Sequence, residues 1–87
     1  LKWMSWLAKE LKLINLDFKS SITNFILIKF PIENKYSAEN AESFLASKGI
    51  LVRGMKVYGL SNYLRVSIGT KEENIKFINE LKTFFNK

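Results

Sequence analysis

The chain contains no cysteine and no histidine. Without cysteine there is no disulfide framework, no thiolate nucleophile and no zinc-thiolate site; without histidine there is no imidazole base. The common catalytic centres therefore cannot be assembled, and a complete enzyme is not expected from these 87 residues. Proline occurs once, at Pro31, and glycine four times. No G-x-G-x-x-G or G-x-x-x-x-G-K loop is present to cradle a phosphate, which disfavours nucleotide binding and hydrolysis. No apolar run reaches the roughly 18–20 residues that span a bilayer. The start is not a signal peptide either, because charges interrupt residues 1–16 at helical spacing. Arginine is the last scarcity: of 14 basic residues only Arg53 and Arg65 are arginine, the other twelve being lysine.

What is present is a basic chain, with eight acidic residues and a formal charge of +6, of which 47% is hydrophobic. That apolar share suits one globular domain rather than a disordered chain. At this length folding hides about 60–65% of the unfolded surface, enough for one core and too little for a deep pocket. There is no internal repeat, low-complexity tract or Gly/Ser linker, so residues 1–87 are expected to form a single domain. The first residue is Leu1, already in helical pattern, as in a piece cut from a longer polypeptide.

The periodicities predict the elements. Trp3, Met4, Leu7, Leu11 and Ile14 draw one helical face, with Asn15 at its end. Residues 16–22 alternate like a short exposed strand. Residues 24–30 are an almost unbroken β-branched and aromatic run stopped by Pro31, predicting a central strand covered on both faces. Ser37 caps a helix whose inward residues are Ala38, Ala41, Phe44 and Leu45, and Gly49 ends it. Residues 50–55 and 63–68 read as strands, the second with Leu64, Val66 and Ile68 on one side and Tyr63, Arg65 and Ser67 on the other. Thr70-Lys71-Glu72-Glu73 has capping-box spacing before a helix with an apolar stripe of Ile75, Ile78, Leu81 and Phe85. The predicted class is α+β: helices packed on a small, largely antiparallel sheet in the order α-β-β-α-β-β-α.

The chemistry narrows to two side chains. Arg53 and Arg65 sit near the same ends of two strands joined by a short loop, so both guanidinium groups can approach one carboxylate or phosphate. Arginine suits that task because its planar fork makes two parallel hydrogen bonds and stays charged. Two solvated strand residues would show the same pattern. Gly49 and Gly69 fit a helix cap and a strand-to-helix turn, and Glu72 with Glu73 suits the dipole of a first helical turn. Trp3, Trp6, Phe77, Phe84 and Phe85 follow core spacing rather than that of a base-stacking platform. The strand signature of the common RNA-recognition fold is missing, so no nucleic-acid partner is expected.

Three ordered segments carry a resemblance. They are Asn24-Phe25-Ile26-Leu27-Ile28-Lys29-Phe30, then Gly49-Ile50-Leu51-Val52-Arg53, then Tyr58-Gly59-Leu60-Ser61-Asn62-Tyr63-Leu64-Arg65-Val66-Ser67-Ile68-Gly69-Thr70 with Glu73-Asn74. Together they resemble the C-terminal end of histidinol-phosphate aminotransferases, pyridoxal-phosphate-dependent enzymes of fold type I in the class I/II aminotransferases. The resemblance implies a small domain packed on a larger cofactor-binding domain that is absent here, with the active site between them. It further implies a cytoplasmic homodimer acting in histidine biosynthesis on a small anionic substrate, with no membrane partner. Arg65 matches the arginine that binds the substrate's anionic group, and Arg53 the other arginine of the segment. The cofactor lysine and phosphate cup have no match in this sequence, so no catalytic residue, metal or cofactor is expected on this chain alone, and the isolated fragment is expected to be inactive. The other reading is a stand-alone basic α+β binding module, or a decayed fragment.

Overall fold

The computed structural model describes residues 2–20, 24–32 and 34–86. Its elements are helix α1 (Lys2–Leu13), strands β1 (Asp17–Ser20) and β2 (Phe25–Lys29), helix α2 (Ala38–Ser47), strands β3 (Arg53–Met55) and β4 (Leu60–Ser67), and helix α3 (Lys71–Phe84). Short 3-10 turns at Asn34–Tyr36 and Lys56–Tyr58 precede α2 and β4. The four strands form one sheet in the order β1-β2-β4-β3, and every neighbouring pair is antiparallel. The class is the α+β one expected from the periodicities. The expected continuation of the first strand to Ile22 falls outside the described residues.

Local chemistry sets the element ends. Asn15 adopts φ 62° after α1, and the Leu16 N–H reaches back to the Leu11 carbonyl at 3.0 Å, so the last carbonyls of the helix are satisfied. Gly49, at φ 79°, does the same for α2, with the Ile50 N–H on the Leu45 carbonyl at 2.9 Å. The Ser37 hydroxyl accepts the Asn40 N–H at 3.2 Å and starts α2. Thr70 and Glu73 make a full capping box: the Thr70 hydroxyl accepts the Glu73 N–H at 3.1 Å, and the Glu73 carboxylate accepts the Thr70 N–H at 2.8 Å.

The helices lie on one face of the sheet only. Ile26 and Ile28 of β2 and Leu64 and Val66 of β4 point into a single buried cluster with Leu7, Leu11, Ala41, Leu45, Phe77, Ile78 and Leu81. The expectation of a β2 covered on both faces is corrected: Phe25 and Leu27 are half-buried and Lys29 exposed, because no layer covers the far side among the described residues. A β-rich run thus packs one face fully and leaves the other partly wet.

Three boundaries also move. The strand expected over residues 50–55 keeps only Arg53–Met55, because the Ile50 N–H is taken by the cap of α2. Ile50 and Val52 still pack on the core, while Leu51 between them is 88% exposed. β4 begins at Leu60 rather than Tyr63, since Gly59 at φ 76° turns the chain straight back after the 3-10 turn. In α3 the buried positions are Asn74, Phe77, Ile78 and Leu81; Ile75 faces outward and Phe85 is half-buried just beyond the helix. Phe44 of α2 is likewise half-buried, against the ring of Phe84, which also meets Tyr36, at that end of the core rather than inside it.

Candidate anion-binding site

The ladder between β3 and β4 places Arg53 directly opposite Arg65, and the ladder between β2 and β4 places Leu27 opposite Arg65. Directly opposed residues of an antiparallel pair project from the same side. Both arginines therefore rise from the open face, away from Leu64 and Val66. With Lys19 opposite Leu27, a row of Lys19, Leu27, Arg65 and Arg53 crosses all four strands. Tyr63 and Ser67 flank Arg65 on β4, and Ser67 stands opposite Phe25.

The two guanidinium groups are not equivalent. Arg65 is half-buried, its Cζ 5.2 Å from the centre of the Phe25 ring, whereas Arg53 is exposed. Between them lies a shallow depression of about 190 Å³ lined by Leu51, Val52, Arg53, Arg65 and Ser67. Among the described residues neither arginine has a carboxylate partner; the one ion pair there joins Lys82 to Glu10 at 3.1 Å on the helical side. Two cations set across a ladder repel each other, which is unfavourable for the sheet on its own. An anion between them would convert that repulsion into two charge-assisted contacts. Ser67 adds a hydroxyl on the same wall, able to donate to the same oxygen atoms.

Both arginines singled out in the sequence are thus brought together, on neighbouring strands and in one depression. Ser67 and Phe25 were not singled out as site residues. The signal for Ser67 was available, since it alternates in phase with Arg65. Phe25 could not have been found that way, because its place beside Arg65 follows from the pairing of β2 with β4. Among the described residues no group of three or more acidic side chains is placed to hold a metal ion.

No protein-family profile matches the chain. It is 45% identical over 82 residues to the histidinol-phosphate aminotransferase of Paramagnetospirillum magneticum, covering 94% of this chain and 23% of that enzyme. The histidinol-phosphate aminotransferase of Nitrobacter hamburgensis is 41% identical over 95% of the chain and 23% of its own length. Among solved structures, a Burkholderia pseudomallei protein assigned as an aminotransferase superposes with a TM-score of 0.82 at 28% identity, over 97% of this chain and 24% of that one. L-threonine-O-3-phosphate decarboxylase of Porphyromonas gingivalis, at 22% identity and a TM-score of 0.74, shares the fold. The chain spans about 23% of the length of the curated relatives it matches. It is therefore homologous, over nearly all of its own residues, to one part of histidinol-phosphate aminotransferases, and its fold is consistent with a small domain of that family.

Proposed function

We propose that this chain is the C-terminal small domain of a histidinol-phosphate-type aminotransferase, and that Arg65, with Arg53 beside it, binds the anionic group of the substrate. The observation that carries the reading is the register of β3 against β4, which sets the two arginines opposite each other on the open face, with no carboxylate of the described residues lining the depression between them. The relatives' length supports a partner as well: about three-quarters of such an enzyme lies outside this chain, which we assign to a large domain facing the open side of the sheet and to a homodimeric parent.

The parent's pyridoxal phosphate, implied by the family, supplies the electron sink for amino-group transfer. The depression beside the arginines does not fit that cofactor: its wall holds neither a lysine for the aldehyde nor an acid for the ring nitrogen. The contribution of this chain is to hold the substrate. Paired N–H bonds from Arg65 and the charge of Arg53 anchor a carboxylate or phosphate, which lowers the entropic cost of reaching a reactive geometry. Histidinol phosphate, a phosphate monoester, meets this requirement.

In the full-length enzyme carrying this segment, Arg65→Ala is expected to lower kcat/KM by about 2–4 kcal/mol, mostly through KM, the scale for losing a charged hydrogen-bonding partner. Steady-state kinetics with histidinol phosphate and a 2-oxo acid measures it. Near-wild-type values would exclude Arg65 from substrate binding. The 87-residue chain alone is expected to show no transamination when pyridoxal phosphate is added, since no residue of its site serves the cofactor.

A further inference from the structure

The two arginines share a charge and a depression but differ in how they are held. Arg53 emerges from an edge strand of three residues and is exposed. Arg65 emerges from a central strand, paired on both sides, and its guanidinium lies over an aromatic ring. The ring belongs to Phe25, which is paired with Ser67 and so stands diagonal to Arg65 across the β2–β4 ladder. Diagonal neighbours on one face are about 7–8 Å apart at the backbone, within reach of a long side chain and a ring. Phe25 is itself anchored: beyond it the Ile68 N–H donates to the Asn24 carbonyl at 2.7 Å, which extends the ladder past the end of the strand.

A ring under a guanidinium does two things. Its negative face attracts the cation, and it blocks one face of the plane while leaving the edge N–H groups free. The free edge is where oxygen atoms of a carboxylate or phosphate bind. A flexible arginine loses rotational freedom when it grips an anion, and a pre-stacked one has already lost much of it. The position of Phe25 is therefore suited to a specific task on a face otherwise short of packing. In keeping with this, Phe25 is only half-buried: its ring is not consumed by the core cluster formed by Ile26 and Ile28 on the opposite side of the same strand.

We propose that Phe25 is the positioning residue for Arg65: its ring holds the guanidinium in the orientation that receives the anion, making Arg65 the preorganised member of the pair and Arg53 the mobile one. This rests on the reading of Arg65 as the anion-binding arginine. The test is a titration of the 87-residue chain with inorganic phosphate, followed at the arginine Nε–Hε resonances by two-dimensional NMR, for the wild type and for Phe25→Leu, Phe25→Tyr and Arg65→Ala. In the unliganded wild type the Arg65 Nε–Hε signal is expected upfield of that of Arg53, shifted by the ring, a readout that needs no variant. Phosphate affinity is expected to fall about threefold to tenfold in Phe25→Leu, the scale of one cation–ring contact, and to stay near wild type in Phe25→Tyr. Loss of binding in Arg65→Ala with no change in Phe25→Leu, or an Arg65 signal with no ring shift, overturns the role of Phe25 and leaves the site standing. Absence of any phosphate response in the wild type overturns the site itself, and the role of Phe25 with it.

Discussion

The two faces of the sheet come from the same four strands and differ in almost everything else. On the covered face Ile26, Ile28, Leu64 and Val66 are buried beneath three helices, and all four are apolar. On the open face the corresponding row is Lys19, Leu27, Arg65 and Arg53, three cations around one leucine. Burial by the helices produces stability there without chemistry. The open face holds the chemistry because charge can be kept only where solvent, or a partner, reaches it. The difference also separates what each substitution should disturb.

The largest expected effect is on the covered face. Ile28→Ala should cost about 2–5 kcal/mol of unfolding free energy, since a fully buried side chain leaves a cavity. Urea unfolding measures it. Leu27→Ala, one residue away and facing the other side, should cost only about 1 kcal/mol in the isolated chain. Equal losses at the two positions would mean that both faces are covered in solution. Next comes Thr70→Ala, which removes the hydroxyl of a complete capping box and should lower stability by about 1 kcal/mol. Arg65→Ala is expected to change the stability of the chain by less than about 0.5 kcal/mol, because among the described residues its charge meets a ring and a like charge rather than a carboxylate. A thermal melt beside the kinetics of the same variant then separates binding from folding. The smallest effect is at the ion pair on the helical side: Glu10→Gln should cost about 0.5 kcal/mol or less, and the cost should shrink in high salt, because solvent still reaches the Lys82 end of this half-buried pair. A loss of several kcal/mol there would show that this pair ties α1 to α3 far more strongly than its exposure allows.

Much of this was legible in the residues because it rests on local rules. The caps at Ser37 and Thr70, the left-handed ends at Asn15 and Gly49, and the alternation of Leu64 and Val66 against Arg65 all follow from spacing within a few residues. The errors arose where a distant group competed. The strand expected from residue 50 lost its start to a helix cap, because the Ile50 N–H has one partner only and the Leu45 carbonyl claims it. The run through Phe25 and Leu27 looked like a fully covered strand, since hydrophobicity measures a tendency to be buried and not the number of layers available to bury it. Ile75 and Asn74 exchanged places for a related reason. The Asn74 side chain both accepts from the Gly69 N–H at 2.9 Å and donates to the Gly69 carbonyl at 3.2 Å, so a polar residue is buried by a partner five residues away. A hydrophobicity stripe gives such a partner no weight.

Composition alone excluded imidazole and thiolate chemistry, since a side chain that is absent cannot act in any fold, and the rarity of arginine left Arg53 and Arg65 as candidates. Spacing then put Arg65 on the face opposite the core. What only the assembled sheet decided was neighbourhood: that Arg53 stands across from Arg65 rather than displaced along the strand, and that Phe25, forty residues earlier, lies beneath one guanidinium and not the other. The reason is physical. Alternation within a strand fixes which side a residue faces, whereas its partners across the strands depend on register, and register is chosen by how the whole buried face packs.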